Sequence, residues 1–320
     1  MASFWKNNIC VPTWTDLVKD WFNGQPSKLI DSTPPMRPFS QVFIRRAILE
    51  DLEQLPEFWS RWYSTTKSAR CIVPLSHVMK MSQGEIFVCV NPAGEVIGSI
   101  VRRWVTGLHM REVRWPRAGI IDYFCIHPAH RNKGIGRALL TFLHNSTLYT
   151  EKLILPQIML WEGVQPTIPP ASVGFFLYRK CLANGFSAVG VHASSENSEI
   201  WNQLQRGKDI WNESCESPGE TSIWTVSLEE KNPLTTVGRV AIWNTFHRSV
   251  PEGLLIGIVV GGDQAAANAF SQASGHPFGI LLMSGSPLGS DGWTIDSPYQ
   301  WISYNTRMNF ISYQFPGIFL

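Results

Sequence analysis

The sequence predicts a mixed α/β fold: a central sheet flanked by helices, with a smaller C-terminal α/β unit packed on it. Three observations carry this. Short β-branched and aromatic runs alternate with helical periodicity from about residue 41 to 228. One such run, Gly119 to Ile126, leads into a glycine-containing turn and an apolar helical stretch. After Glu229-Glu230-Lys231-Asn232-Pro233 the order strand, helix, strand recurs on a shorter scale.

Composition bounds the rest. At roughly 150 residues per domain, 320 residues suggest about two domains. Charged residues make up 16% and there are 14 Trp, so the chain has ample apolar surface to bury. Lys+Arg number 27 against 25 Asp+Glu, a balance that argues against a dedicated nucleic-acid binder. The 6 Cys are scattered singly with no CxxC pair. No metal is therefore expected, and the thiols are read as reduced. The opening MASFWKNNICVPTW lacks the long apolar core of a secretory leader. The longest apolar run, Gly253 to Gly262, falls short of the ~20 residues a membrane helix needs. No membrane span and a cytoplasmic location are the expectation.

Residues 1–40 read as an N-terminal extension with a short helix capped by Thr13 or Thr15, ending in the Pro34-Pro35-Met36-Arg37-Pro38 linker. A first unit then spans 41–230. It opens with a strand at Val42–Arg45 and a helix at Leu49–Tyr63, interrupted by Pro56. A second helix near 75–82 follows. Strands at Ile86–Val90 and Val96–Val105 are joined by the hairpin signal Asn91-Pro92-Ala93-Gly94. Beyond the strand at 119–126 come a helix at about 134–146 and a strand at Leu153–Trp161. Pro169-Pro170 can open a helix over 171–183, which Asn184-Gly185 would close. Phe186–Val191 and Ile223–Leu228 read as strands, and the polar stretch 193–221 as an insertion. The unit 231–320 holds strands at 254–260 and 278–283 around an alanine-rich helix at 263–274, then an aromatic, β-like remainder.

The chemistry concentrates in Arg131-Asn132-Lys133-Gly134-Ile135-Gly136-Arg137, between the strand at 119–126 and its helix. Glycines there let backbone N–H groups approach a ligand closely, and a helix N-terminus favours a phosphate. Three basic side chains add charge. The run is not a P-loop, which needs G-x-x-x-x-G-K-[ST]. Nor is it the dinucleotide fingerprint, because Leu139 stands where a third glycine belongs. The plain alternative is a strand-to-helix turn with a basic surface.

This stretch, with its His127-Pro128 turn and Arg137-Ala138-Leu139-Leu140 helix start, resembles motif A of the GNAT superfamily, the acetyl-CoA-dependent N-acyltransferases. The order of elements from about 41 to 228 resembles that family too. The resemblance implies a GNAT-like central sheet, with acetyl-CoA as co-substrate. It implies that Arg131, Asn132, Lys133, Gly134, Ile135, Gly136 and Arg137 cradle the pyrophosphate. Phe124 and Ile126 would offer backbone groups to pantetheine.

Acyl transfer needs a deprotonated amine and a proton for the leaving thiolate. Family members often carry a tyrosine for the thiolate four residues before the glycine that ends the second helix. Cys181 stands at that position, so Tyr178, one helical turn earlier, becomes the candidate acid. The alternative is a tyrosine packed among Phe175 and Phe176. Asp122 sits where the family often places its base. A carboxylate inside an apolar strand is costly unless paired, so the other reading is an ion pair with Arg102 or Arg103. Strand alternation puts Asp122, Phe124 and Ile126 on one face and Cys125 on the other. That spacing disfavours a nucleophile set of Cys125, His127 and Asp122. Segment 102–117 carries five arginines against Glu112 alone. It reads either as an attractor of an acidic acceptor or coenzyme phosphate, or as a solvated hairpin.

In the tail, Gln264, Ala267, Phe270 and Gly275 fall on the spacing of the second GNAT helix. That makes 231–320 a candidate degenerate GNAT half without a second coenzyme site. Two-unit GNAT architectures include the N-myristoyltransferases, which use a long-chain acyl-CoA and a chain-terminal carboxylate. The expected function is acetyl transfer from acetyl-CoA to a primary amine of a small-molecule, protein or peptide acceptor. The alternatives are a catalytically weakened coenzyme-binding module and a long-chain acyltransferase. The Trp excess is read as cement between the units.

Overall fold

A computed structural model describes residues 28–29, 41–63, 69–82, 84–110, 113–150, 155–162, 175–182, 189–194, 198–205, 210–215, 221–228, 235–273, 276–284, 292–303 and 306–307. The expected N-terminal helix, the 229–233 boundary residues and the chain end lie outside them. Among the described residues, strand β1 (Lys28–Leu29) pairs with β16 (Thr306–Arg307) in a two-stranded sheet. All other described strands join one 14-stranded sheet.

The first part of that sheet is an antiparallel run: β2 (Phe43–Arg46), β4 (Glu85–Val90), β5 (Val96–Met110) and β6 (Val113–Ile126). Helices α1 (Leu49–Trp62) and α2 (Leu75–Met81) cover one face, and α3 (Ile135–Thr150) the other. Strand β7 (Gln157–Glu162) then pairs with β6 in parallel. Helix α1 starts where Asp51 accepts the backbone N–H of Ile48 at 2.8 Å and is gripped by Arg45. Its Leu52, Leu55, Phe58 and Trp59 turn inward on Ile86, Val88 and Val101. The helix continues through Pro56, because that tertiary face outweighs one lost hydrogen bond. Helix α3 packs Ile135, Leu139, Leu140 and Leu143 on Phe87, Cys89, Ile100 and Ile121, the alternate residues of the same strands.

The same order then recurs. Strands β9 (Val189–Ser194), β11 (Thr221–Leu228), β12 (Thr235–Ser249) and β13 (Leu255–Gly262) are antiparallel neighbours. Helix α5 (Gln264–Gln272) follows, and β14 (Ile280–Ser284) returns parallel to β13. Helix α5 thus occupies the place of α3, between parallel strands. The expectation that it matches the second GNAT helix is corrected: its spacing fits that motif, but its topology is that of the motif A helix. Strands β11 and β12, which flank the boundary residues 229–233 in sequence, pair as antiparallel neighbours in the same sheet.

The clearest departure lies at 171–183. Residues Phe175–Cys181 form strand β8, not a helix, paired with β14 on one side and β15 (Thr294–Ser303) on the other. Strand β15 in turn pairs with β7, so β15 and β8 join the two repeats into one sheet. Proline before and Asn-Gly after framed this segment as a helix, but an aromatic run with two strand partners is held extended. The polar stretch 193–221 likewise contains structure: α4 (Ser198–Gln205) and β10 (Ile210–Cys215), which extends the sheet by pairing with the far half of β5. The short strand β3 (Ala69–Cys71) adds to the end of β12, tying the first repeat to the second.

Candidate active site

Two features of β6 shape the site. The first is a bulge. Val101 faces Asp122 while Ser99 faces Cys125, so β6 carries one extra residue between them. Tyr123 absorbs it with φ of +46°, a conformation that ordinary side chains rarely adopt. Its geometry is fixed from α1: Trp59 stacks on Tyr123 at 4.3 Å and donates to Ser99 Oγ at 2.8 Å, and that hydroxyl donates to the Tyr123 carbonyl at 3.0 Å.

The second is a splay. Strands β6 and β7 pair only from Gly119↔Gln157 to Ile121↔Met159. Beyond that, β7 pairs with β15, while β6 runs on to Ile126 along β5. His127 N–H bonds to Ile97 carbonyl, which makes Gly98↔Ile126 a pair whose own backbone groups point away from β5, into the opening. Arg131 Nε donates to the Ile126 carbonyl there at 3.1 Å.

The opening runs into the basic loop. Asn132 (φ +63°) and Gly134 (φ +84°) take left-handed conformations on either side of Lys133. Left-handed residues in a turn are the kind of backbone that can direct successive N–H groups toward an anion. The loop ends at the start of α3, where Ala138 N–H bonds to Gly134 carbonyl and no acidic residue occupies the first turn. The counterpart in the second repeat is closed. Asp263 caps α5 by accepting the Ala266 N–H at 2.7 Å, placing a carboxylate where α3 presents positive dipole. Gly262 there also approaches the Arg239 carbonyl so closely that an added Cβ would lie 2.5 Å from it.

On the α1 face of the bulge stands a polar cluster. Asp122 Oδ1 accepts from the Tyr63 hydroxyl at 2.8 Å and from the Tyr123 N–H at 2.8 Å, while Arg103 reaches Oδ2 at 3.3 Å. Burial first, then the Asp122 charge, push the Tyr63 phenol well above its usual range. The ring of His247, on β12, lies 6.0 Å from that of Tyr63, and its Nδ1 lies 2.8 Å from the Thr245 carbonyl. The second repeat therefore reaches the site. A cleft of about 380 Å³ opens beside the loop, between Glu57, Arg61 and Trp62 of α1, the turn at Asn91–Glu95, and His127 and His130. Desolvation, then the Lys133 and His127 charges, lower the His130 pKa.

Residues 82–180 match the family model described as "Acetyltransferase (GNAT) domain". The chain has the GNAT fold. Across almost its whole length it is similar to a crystal structure of Saccharomyces cerevisiae N-myristoyltransferase with bound myristoyl-CoA. Identity is 12%, coverage is 96% of this chain and 93% of that one, and the TM-score is 0.65. Another myristoyl-CoA-bound structure of that enzyme gives 11% identity, coverage of 95% and 91%, and a TM-score of 0.62. No curated protein matches the chain in sequence.

Against this GNAT frame the expected site residues separate. The loop residues 131–137, with Phe124 and Ile126 on the splayed strand, come together along one path. Asp122 stands at the bulge, paired with Arg103 rather than Arg102. The bulge reverses the expected alternation: Asp122 shares the α1 face with Val101, Tyr123 and Cys125, while Phe124 and Ile126 pack on the α3 side. Cys125 is still no nucleophile, because burial pushes its thiol up to about 12. Tyr178 is displaced. It lies on strand β8, three strands from β6 in the sheet order, so the helical argument for it as the acid fails.

The arginine-rich segment is mostly tied internally. Arg102 is buried against Glu85, Ser146 and the Leu143 carbonyl. Arg102 and Arg117 stand 4.4 and 4.2 Å from the Trp104 ring. Arg114 bonds Glu213 on β10 at 2.8 Å, and Arg111 lies outside the described residues. Sequence reasoning missed Tyr63. Its signal was present: Tyr63 follows Trp59 by one helical turn, at the end of the face α1 buries.

No described helix is long and apolar enough to cross a membrane. Among the Trp residues expected as cement, Trp224 packs on Phe270 and Phe278 inside the second repeat, and Trp293 bonds Asn268 of α5.

Proposed function

We propose that the chain transfers an acyl group from an acyl-coenzyme A, acetyl-CoA first, to a primary amine. The observation that carries the reading is the splayed β6 edge leading to a left-handed anion cradle and an acid-free helix start. An extended pantetheine suits a strand edge that diverges from its neighbour. A pyrophosphate fits the backbone N–H groups of residues 132–137, with Arg131, Lys133 and Arg137 adding charge. Bound there, the coenzyme supplies the thioester.

The amine adds to the thioester carbonyl, the C–N bond forms, and the C–S bond breaks to release the thiolate, which takes up a proton. The acceptor amine comes from the α1 face, where Asp122 serves as base. Tyr63 stays protonated at neutral pH and holds one carboxylate oxygen, and Arg103 holds the other. The cluster thus orients one carboxylate beside the bulge. The Asp122→Asn variant is expected to lose about 10²-fold in turnover while keeping coenzyme affinity.

A second reading, a long-chain acyl donor, is favoured by the near full-length likeness to an N-myristoyltransferase fold. The deciding experiment is calorimetry with acetyl-CoA and myristoyl-CoA side by side, followed by a mass-shift screen of amine and peptide acceptors. Saturable binding of either with a matching mass gain supports acyl transfer. Binding without any product favours a coenzyme-binding module, and no binding of either sinks the proposal.

A further inference from the structure

We infer that the outer face of β3, α2 and the end of β12 docks on an anionic lipid surface. The register places Arg70 directly opposite Arg248 on adjacent antiparallel strands, both exposed. Like charges so placed repel, and neither forms an ion pair with a described residue. Arg248 donates only to the Gly253 carbonyl, at 2.9 Å. Ile72, just after β3, and Val250, opening the turn after β12, are both exposed, while Cys71 and Val73 turn into the core.

Helix α2 follows β3 directly and packs against the end of β12, the His77 ring lying 4.4 Å from that of Phe246. Its His77, Val78 and Met81 face the protein, and Leu75, Met79 and Lys80 face outward. Ile72, Leu75, Met79 and Val250 are 46%, 42%, 41% and 42% exposed. Four large aliphatic side chains with three cations, against Glu252 as the one carboxylate within the described segments 69–82 and 246–254, make an apolar set flanked by positive charge. That pairing suits lipid tails and anionic headgroups. A second copy does not suit it, because a two-fold contact would set arginine against arginine. An acidic protein partner suits it less, because the patch offers aliphatic side chains and none of the tyrosine or tryptophan anchors typical of protein interfaces.

The inference does not rest on acyl transfer, and its test uses no coenzyme. The full chain is sedimented with vesicles of phosphatidylcholine alone and with vesicles containing 30% phosphatidylserine, at low and high salt. Binding to the anionic vesicles only, weakened by salt, is expected. Each cation near such a surface contributes about fivefold, so Arg70→Ala/Arg248→Ala should lose about 25-fold and Arg70→Lys/Arg248→Lys should retain binding. Leu75→Ser/Met79→Ser should weaken binding without altering its salt dependence. Arg70→Glu alone, at an exposed position, repeats the charge test should the double variant fold poorly. Equal binding to both vesicle types, undiminished binding by the double alanine variant, or a dimer abolished by that variant would overturn the inference.

Discussion

The Tyr63 hydroxyl donates to Asp122 Oδ1 at 2.8 Å, joining the end of the first helix to the bulge of the central strand. The phenol is half-buried, and burial and the carboxylate both disfavour its ionised form. Such a raised pKa stabilises the fold fully below pH 10, the unfolded value, and this stabilisation is lost as pH rises from there toward the folded value. Wild type should therefore lose thermal stability above pH 10 more steeply than Tyr63→Phe. At pH 7 the variant should be weaker by about 1–2 kcal/mol, since Asp122 loses a donor. Melting curves from pH 7 to 11 measure both, and parallel curves would show that the phenol titrates freely.

Gly134 should be intolerant of side chains for two separable reasons. Its φ of +84° strains any other residue, and it lies in the loop proposed to hold the pyrophosphate. Gly134→Ala tests the strain, and Gly134→Glu adds a negative charge in the cradle. The glutamate variant should lose coenzyme binding by calorimetry more than 10²-fold, and the alanine variant substantially less. Binding should also stay at one coenzyme per chain, because Asp263 caps the equivalent helix in the second repeat. A stoichiometry of two would refute that contrast.

What the sequence revealed follows physical range. The loop at 131–137 and its strand and helix are local: glycine spacing and one apolar face determine them, and they stand as expected. Strand β8 is not local. Its flanking Pro-Pro and Asn-Gly frame a helix, and only the arrival of β14 and β15, about 100 residues later, holds it extended. The bulge left no trace either, because Tyr123 is an ordinary residue type forced into a left-handed conformation by its surroundings. That single extra residue moved Asp122 to the opposite face from the one alternation predicts. Tyr63 and His247 lie on separate elements that only the fold brings together.

Glu213 links β10 to the long β5–β6 arm. It takes hydrogen bonds from Arg114 at 2.8 and 2.9 Å and contacts His109 Nε2 at 2.9 Å. The Arg114 and His109 hydrogen bonds lower its pKa to about 2. A depressed carboxylate stabilises the fold above its unfolded pKa of about 4.3, and that stabilisation is lost as pH falls toward about 2. Glu213→Gln should be less stable than wild type at pH 7, by less than about 1 kcal/mol because the group is solvent-screened. The two proteins should converge near pH 2, and urea midpoints across that range test it. Gly107→Ala should be worse than the glutamine variant, since it both displaces the Glu213 carboxylate and strains a backbone held at φ of +57°.

The Arg102–Glu85 pair tests how the α3 face of the sheet is held. Arg102 is fully buried, and its guanidinium also serves the Leu143 carbonyl and Ser146 hydroxyl of α3 at 2.8 Å each. Gly119 sits beneath its stem, where an added Cβ would come within 2.8 Å, so the arginine fills a space shaped for it. Arg102→Leu leaves a buried carboxylate without its cation and should cost about 3–5 kcal/mol. Adding Glu85→Leu removes the stranded charge, so the double variant should be more stable than Arg102→Leu alone. Recovery should be partial, because the α3 carbonyl and hydroxyl still lose their donor. Denaturant midpoints for the four members of the cycle decide this. Simple additivity would mean that the pair contributes no coupling.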